Sequence, residues 1–282
     1  MKIIDAQVHV WKADSPERPW DPVARTRLHE FAAYRAEPLS YEELLGEMDK
    51  AGVYGAILVP PYWEGDRVDY ALEAAKAYPN RFAVMGHIPT EERAGRQVLD
   101  NWTSQPGMLG MRQTFAREDR RARLVDGSCE WLWQEASRLG IPVMIHAPTA
   151  IDELCQIAGR HPDLRLILDH MGILIHTTDD AIEPFINQSL RLAAYPNVAI
   201  KLSAAPTYSS ESYPYRNIHV YLNRLIDAFG PRRCFWGTDM TRLPCTYRQA
   251  VTMFTEELPF LNETDKEWIM GRGLSEWLGW NA

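Results

Sequence analysis

The stretch Ile3-Ile4-Asp5-Ala6-Gln7-Val8-His9-Val10-Trp11 lies at the start of the chain and carries a row of polar side chains. Side chains of a β-strand alternate between two faces with a period of two residues, so Asp5, Gln7 and His9 are predicted to share one face. On an exposed sheet such a row is ordinary, whereas inside a barrel it would line a site. The strands that follow decide between these interpretations.

Seven further short apolar runs follow, and helical patterns separate them. The predicted strands are Lys2–Val10, Tyr54–Val59, Arg81–Ile88, Met108–Phe115, Ile141–His146, Leu164–Leu168, Val198–Leu202 and Cys234–Gly237. Apolar strands that alternate with helices are typical of a parallel sheet covered by helices. Eight such units predict an α/β fold of the (β/α)8 TIM barrel type, as a single domain of residues 1–282. A doubly wound open sheet is the alternative, but no glycine-rich phosphate loop follows the first strand.

Two segments add to this barrel pattern. A long, polar and proline-rich loop, Lys12–Pro38, follows the first strand, and loops of such length are often lids or binding loops. Helices are predicted near Tyr247–Glu257 and Thr264–Met270, and with the tryptophan-bearing end they make a C-terminal helical extension.

Composition narrows the class of partners. The chain of 282 residues has a net charge of −8 and scattered basic residues, so we expect no nucleic acid partner. No apolar run approaches the roughly 18 residues of a membrane helix, so we expect no membrane partner either. The four cysteines have no paired spacing, which is typical of reduced thiols and predicts a cytoplasmic protein. A homo-oligomer is left open.

Polar side chains recur at or near the C-terminal ends of the predicted strands. They are Gln7 and His9, His87, Arg112, His146, His170, Lys201 and Asp239. Catalytic groups of TIM barrels gather at this end, so these side chains are predicted to form one site. His87, Lys201 and His176 are left without a role, because a turn, a solvated side chain or a loop position explains them equally well.

Four motifs in this set resemble, in the same order along the chain, those of the amidohydrolase superfamily. The resemblance is to its amidohydrolase-related branch, which holds lactonases and non-oxidative decarboxylases. The motifs are Asp5-Ala6-Gln7-Val8-His9-Val10-Trp11, Met144-Ile145-His146-Ala147, Leu168-Asp169-His170-Met171-Gly172 and Trp236-Gly237-Thr238-Asp239. The resemblance covers the chain from end to end and implies a hydrolase built on a barrel.

One position departs from the branch, whose opening motif has a His where this chain has Gln7. In metal-dependent members, the resemblance implies zinc ligands from two first-strand His, the fifth-strand His and the eighth-strand Asp. An amide oxygen is a poor zinc ligand beside imidazole, so His9, His146 and Asp239 remain as candidate metal ligands. Three ligands still suit a catalytic zinc. We expect that no cofactor is required, with a single divalent metal such as zinc as the alternative.

In the metal-free interpretation, hydrolysis needs a base and donors at the developing oxyanion. Asp239 is the predicted general base for water. His9, His146 and His170 are predicted to donate to the carbonyl oxygen, and the amide N–H of Gln7 joins them.

The remaining candidates bind substrate. Arg112 and Arg242 are predicted to hold a substrate carboxylate, and Trp11 and Tyr208 to wall the site. We therefore expect hydrolysis of a lactone, or a similar ester, of a small anionic carboxylic acid. A metal-dependent non-oxidative decarboxylase, a lactone isomerase and a non-catalytic binding barrel are the alternatives.

Overall fold

Eight parallel strands form one sheet whose order follows the chain. The computed structural model describes residues 1–22, 35, 37–116 and 118–281. The strands are β1 Ile4–Val8, β2 Gly55–Leu58, β3 Phe82–Gly86, β4 Met108–Thr114, β5 Val143–His146, β6 Leu166–Leu168, β7 Val198–Ser203 and β8 Cys234–Gly237. The sheet curls until β8 meets β1, which confirms the TIM barrel. That residues 1–282 are a single domain stays a prediction.

Helices cover the outside of the sheet. They are α1 Tyr41–Ala51, α2 Asp69–Ala77, α3 Glu92–Leu99, α4 Glu118–Val125, α5 Glu130–Leu139, α6 Ile151–Arg160, α7 Glu183–Ser189, α8 His219–Phe229, α9 Tyr247–Thr255, α10 Glu263–Glu267 and α11 Gly273–Leu278. Helix α1 shows local control of its ends, because the Ser40 side chain accepts from the Glu43 N–H and Gly52, at φ 77°, stops the helix. Within the described ranges, no helix combines the length and apolar character needed to cross a membrane.

The interior of the barrel is filled by buried apolar side chains from its strands. This cluster contains Ile4, Ala6, Ile57, Val59, Ala83, Met85, Met144, Ile167, Ala199 and Phe235. Leu274, Leu278 and Trp280 belong to the same cluster, so α11 and the residues after it close the barrel at the end opposite the C-terminal ends of the strands. The predicted C-terminal extension therefore completes the core and leaves the opposite end of the barrel for polar groups.

The contact between β1 and β8, here called the β1–β8 seam, is made by a side chain as well as by backbone. The Asp239 N–H donates to the Gln7 carbonyl at 2.8 Å. Oδ1 of Asp5 accepts from the N–H groups of Gln7 and Thr238, each at 2.9 Å. A Cβ at Gly237 would lie 3.2 Å from the Gln7 nitrogen, so glycine allows the close approach of the strands.

The sequence predicted that Asp5, Gln7 and His9 share one strand face, but in the structure they do not line up on one face. The pairing register of β1 against β2 shifts between Asp5 and Val8, and such irregularities re-aim side chains. Asp5 binds the backbone of β8, Gln7 contacts Lys201 on β7, and His9 lies beyond the end of β1.

The loop predicted over Lys12–Pro38 lies largely outside the described residues, which omit 23–34 and 36. Its first part is fastened to the segment after β2. Arg18 donates to Glu64 at 2.7 Å, and the Trp20 and Trp63 rings lie 6.2 Å apart. The start of this loop therefore packs beside the end of β1.

Candidate active site

The structure brings the predicted catalytic side chains together at the C-terminal end of the barrel. Each comes from the end of a different strand, which follows from the parallel topology. They are His9 after β1, His146 at the end of β5, His170 after β6 and Asp239 after β8.

Asp239 lies at the centre of this group. It occupies the left-handed region, at φ 51° and ψ 50°, and is 2% exposed. Its Oδ1 lies 3.0 Å from His9 Nε2, and its Oδ2 accepts from Arg242 Nη1 at 3.0 Å. Burial alone would raise the pKa of Asp239, but His9 and Arg242 outweigh burial and hold this pKa well below its usual range. The carboxylate is therefore ionised at neutral pH.

His9 is held at both ring nitrogens. Nδ1 lies 2.7 Å from the Val59 carbonyl, which only accepts, so Nδ1 carries a proton and donates it there. Nε2 faces Asp239 Oδ1, and the Gln7 amide nitrogen lies 3.4 Å away from it. This arrangement orients Asp239 and differs from the expected role of His9 as a donor to the substrate carbonyl. Gln7 likewise directs its amide nitrogen at His9.

His146 and His170 form a neighbouring pair of buried imidazoles. Their ring centroids lie 5.4 Å apart in an edge-to-face arrangement. His170 Nδ1 lies 2.8 Å from Ser203 Oγ, and its Nε2 lies 3.8 Å from Asp239 Oδ2. Burial and the charge of Arg112 lower the pKa of His146 to about 3, and burial also lowers the pKa of His170. Both rings are neutral at pH 7.

A buried ion network lies beneath these histidines. Lys201 is 0% exposed, and its Nζ lies 2.5 Å from Gln7 Oε1 and 2.6 Å from Asp169 Oδ1. Arg112 Nε donates to Asp169 Oδ2 at 3.1 Å. Burial opposes ionisation of Asp169, but Lys201 and Arg112 together lower its pKa far below the usual range. The network therefore fixes two cations around one carboxylate.

Aromatic side chains flank the site. Tyr208 is 1% exposed beside Arg242, and burial raises its pKa to about 12, so the phenol stays protonated. Trp11 is also buried and packs edge-to-face against Trp63 with 5.2 Å between ring centroids. Among the described residues, the indole nitrogens of Trp11 and Trp63 and the Tyr208 hydroxyl have no hydrogen-bond partner.

The structure separates the three residues that the sequence leaves without a role. Lys201 is fully buried in the ion network and is not solvated. His87 is bracketed by two carbonyl oxygens, those of Pro60 at 2.8 Å and Arg112 at 3.0 Å, which ties the ends of β2 and β4 together. His176 is exposed on the loop after β6.

Sequence reasoning did not assign Asp169 or Asp5. Asp169 stands directly before His170 in one of the four motifs, and a carboxylate that is buried in its ionised form is usually paired with a cation. Lys201, on the next strand, is that cation. Asp5 gave no such signal, because its partners are backbone and hydroxyl groups that any sequence supplies.

The donor set of this site does not fit a divalent metal. The Gln7 oxygen is bound by the Lys201 ammonium, and the two Asp239 oxygens face His9 and Arg242. Of the side chains expected as ligands, His146 Nδ1 and Asp239 Oδ1 have no hydrogen-bond partner in the described part of the chain, and this Oδ1 faces His9 Nε2 at 3.0 Å. Among those residues, no group of three or more His, Cys, Asp or Glu side chains is arranged to hold a metal ion.

Comparison with known proteins agrees with this fold. The sequence is 24% identical over 249 residues to an L-fucono-1,5-lactonase of Burkholderia ambifaria, covering 84% of this chain and 79% of that protein. It is 24% identical over 232 residues to a 4-sulfomuconolactone hydrolase of Hydrogenophaga intermedia, covering 79% and 75% of the two chains. A crystal structure of an amidohydrolase from Burkholderia multivorans with bound zinc superposes with a TM-score of 0.82 over the full length of both chains, at 20% identity.

The sequence pattern that defines the amidohydrolase family covers nearly the whole chain. It matches residues 4–272, from the first strand to the helical extension. This range contains all four motifs and every side chain of the site. The chain belongs to the amidohydrolase family.

Proposed function

We propose that this chain is a hydrolase that opens a lactone of a small, anionic carboxylic acid. The observation that carries the proposal is an ionised, buried carboxylate, Asp239, placed among fixed cations at the mouth of the barrel. The names of the two relatives above, both lactone hydrolases, support the same reaction class.

The charge of the site supports an anionic substrate. If the partly exposed His9 is left out of the count, three buried cations, Arg112, Lys201 and Arg242, face two buried carboxylates, Asp169 and Asp239, and three minus two leaves one excess positive charge. Uncompensated charge is costly in a buried site, so a substrate carboxylate would restore neutrality. Arg112 uses Nε for Asp169, which leaves the N–H groups of its two terminal nitrogens for a bidentate contact.

In the proposed reaction, Asp239 takes a proton from water while the water oxygen attacks the lactone carbonyl. The ring C–O bond then breaks, and the alkoxide that leaves is protonated to give a hydroxy acid. His170 is placed to carry that proton, since its neutral ring lies 3.8 Å from Asp239 Oδ2. His9 holds Asp239 in position during both steps.

Donors with no other partner are proposed to stabilise the oxyanion. His146 Nδ1 and Arg242 Nε are buried and unpartnered within the described ranges, so neither must break a bond to reach a ligand. Preorganised donors of this kind are worth on the order of 3 kcal/mol each in the transition state. Tyr208 and Trp11 complete the proposed walls.

The proposed mechanism requires no cofactor, because all of its steps use side chains of this chain. We also propose that the enzyme works in the cytoplasm, where its four unpaired cysteines, Cys129, Cys155, Cys234 and Cys245, remain reduced. A decarboxylase would chelate its substrate on a metal, and the engaged oxygens of Gln7 and Asp239 disfavour that alternative.

Product analysis on a panel of lactones tests the proposal. The panel includes sugar-acid lactones and lactones that carry a second carboxylate or a sulfonate. Stoichiometric release of the ring-opened hydroxy acid is the expected result. An isomeric lactone as product would instead indicate an isomerase, and binding without turnover of any member would contradict the proposal in favour of a binding barrel.

A further inference from the structure

The ammonium of Lys201 is enclosed by side chains from three other parts of the barrel. Its contacts are Gln7 Oε1 at 2.5 Å, Asp169 Oδ1 at 2.6 Å and Met144 Sδ at 3.2 Å. The side chain is 0% exposed, so the charge is shielded from water on all sides. A lysine buried this completely is retained only where its charge is matched, and Asp169 supplies that match.

We propose that the Lys201 ammonium is the resident cation of this site and that, by binding Gln7, it closes the site to divalent metals. Gln7 occupies the position at which the motif of the family has a metal-binding His. Its only acceptor atom, Oε1, accepts a hydrogen bond from the Lys201 ammonium. Gln7 therefore takes the place of a His ligand, and the Lys201 ammonium takes the place of the metal ion as the positive charge.

The chemistry of position 7 explains why the two residues belong together. A glutamine oxygen accepts from an ammonium while its amide nitrogen still faces His9, at 3.4 Å here. An imidazole at the same place would have to give a nitrogen lone pair to Lys201, and that lone pair is the one a metal requires. The Lys201 ammonium and a metal ion would therefore compete for the same nitrogen lone pair of a His at position 7.

Charge acts in the same direction. The site already has one excess positive charge, and a divalent ion between His9 and Asp239 would add two more beside Arg242 and Lys201. Like charges repel strongly where water is excluded, so metal binding requires the removal of a resident cation. Lys201 is the cation to remove, because it binds the side chain at position 7, whereas Arg242 contacts Asp239 through Oδ2 and leaves Oδ1 facing His9.

Zinc titration of purified apo-protein tests this proposal without any use of activity. The variants are the wild type, Gln7→His, Lys201→Met and the double variant Gln7→His/Lys201→Met. Site binding is defined as the zinc binding that disappears when Asp239→Asn is added. We expect none in the wild type, weak binding in Gln7→His, and binding about 100-fold tighter in the double variant than in Gln7→His.

Two results would overturn the proposal. One is stoichiometric site binding of zinc by the wild type, and the other is a Kd of Gln7→His equal to that of the double variant. If Lys201→Met fails to fold, as judged by circular dichroism, Asp169→Asn/Lys201→Met restores the charge balance and is titrated in its place, with and without Gln7→His. Lactone hydrolysis is a separate measurement, so a protein that lacks it leaves the zinc result unchanged.

Discussion

Two aspartates at the β1–β8 seam have the same side chain and nearly the same burial but opposite electrostatics. Asp5 is 0% exposed, and among the residues that the structure describes it accepts only from neutral groups, which are two backbone N–H groups and the hydroxyls of Thr238 and Tyr247. Burial raises the pKa of Asp5 to about 6. Asp239 is 2% exposed and faces His9 and Arg242, and its pKa lies well below the usual range.

The difference shows that partner charge, and not burial, decides what a buried carboxylate does here. Neutral donors satisfy the oxygens of Asp5, but they only partly offset the free-energy cost of burying its negative charge. At Asp239, His9 and Arg242 offset this cost and keep the carboxylate ionised. Asp5 thereby fastens β1 to β8, and Asp239 is left ionised at the end of the same seam.

The largest expected effect comes from Asp239→Asn, which removes the charge but keeps the shape. If Asp239 is the base, kcat/KM on a hydrolysed lactone falls by about 1,000-fold or more. The folded structure is expected to persist, since an amide oxygen still accepts from Arg242. Steady-state kinetics beside circular dichroism measure both. A variant that keeps more than a tenth of the activity would assign the base elsewhere.

Asp5→Ala is expected to act on stability instead. It leaves the N–H groups of Gln7 and Thr238 buried without acceptors, and we expect the free energy of unfolding to fall by about 3 kcal/mol. Tyr247→Phe is the matched control, because it removes one donor from Asp5 and leaves the backbone groups satisfied, at a cost of about 1 kcal/mol. Urea unfolding gives both values. Equal losses would show that Asp5 does not hold the seam.

The smallest expected effect is a difference in pH dependence between the two aspartates. The pKa of Asp5 is about 6 in the folded protein and about 4 when unfolded, so folding takes up a proton between these values. The contribution of Asp5 to stability is therefore full below about pH 4 and lost as pH rises through 6. Asp239, with its lowered pKa, contributes stability above about pH 4 that is lost as pH falls further.

Urea unfolding of the wild type, Asp5→Asn and Asp239→Asn at pH 2.5 to 7 measures these contributions. Relative to the wild type, Asp5→Asn is expected to lose most stability at the acid end, and Asp239→Asn at the neutral end. If the two differences change with pH in the same sense, the contrast between the aspartates is wrong.

Much of the barrel could be predicted because its strands are short apolar runs ended by polar residues. Those ends place His146, His170 and Asp239 by topology alone, so the sequence was sufficient to bring them to one end of the barrel. That the side chains named in advance act as catalytic and binding groups stays a prediction, and the experiments above test it.

The contacts within the site could not be predicted in the same way. The register shift between Asp5 and Val8 breaks the period-two rule at the very stretch that defines the site. Lys201 spans the barrel from β7 to reach Gln7, which is 194 residues away in sequence. Neither a local irregularity of a strand nor a long-range contact of a side chain produces a periodic pattern in the sequence.

Lactone hydrolysis by metal-free protein in ¹⁸O-labelled water tests the central claim most directly. The protein is stripped with a chelator until metal analysis finds less than about 0.05 zinc per chain, and the initial rate is compared with that of untreated protein. Asp239-driven attack by water predicts a rate within about twofold of the untreated protein and one ¹⁸O atom in the new carboxylate. A stripped protein as slow as Asp239→Asn, with activity restored by zinc, would contradict the account.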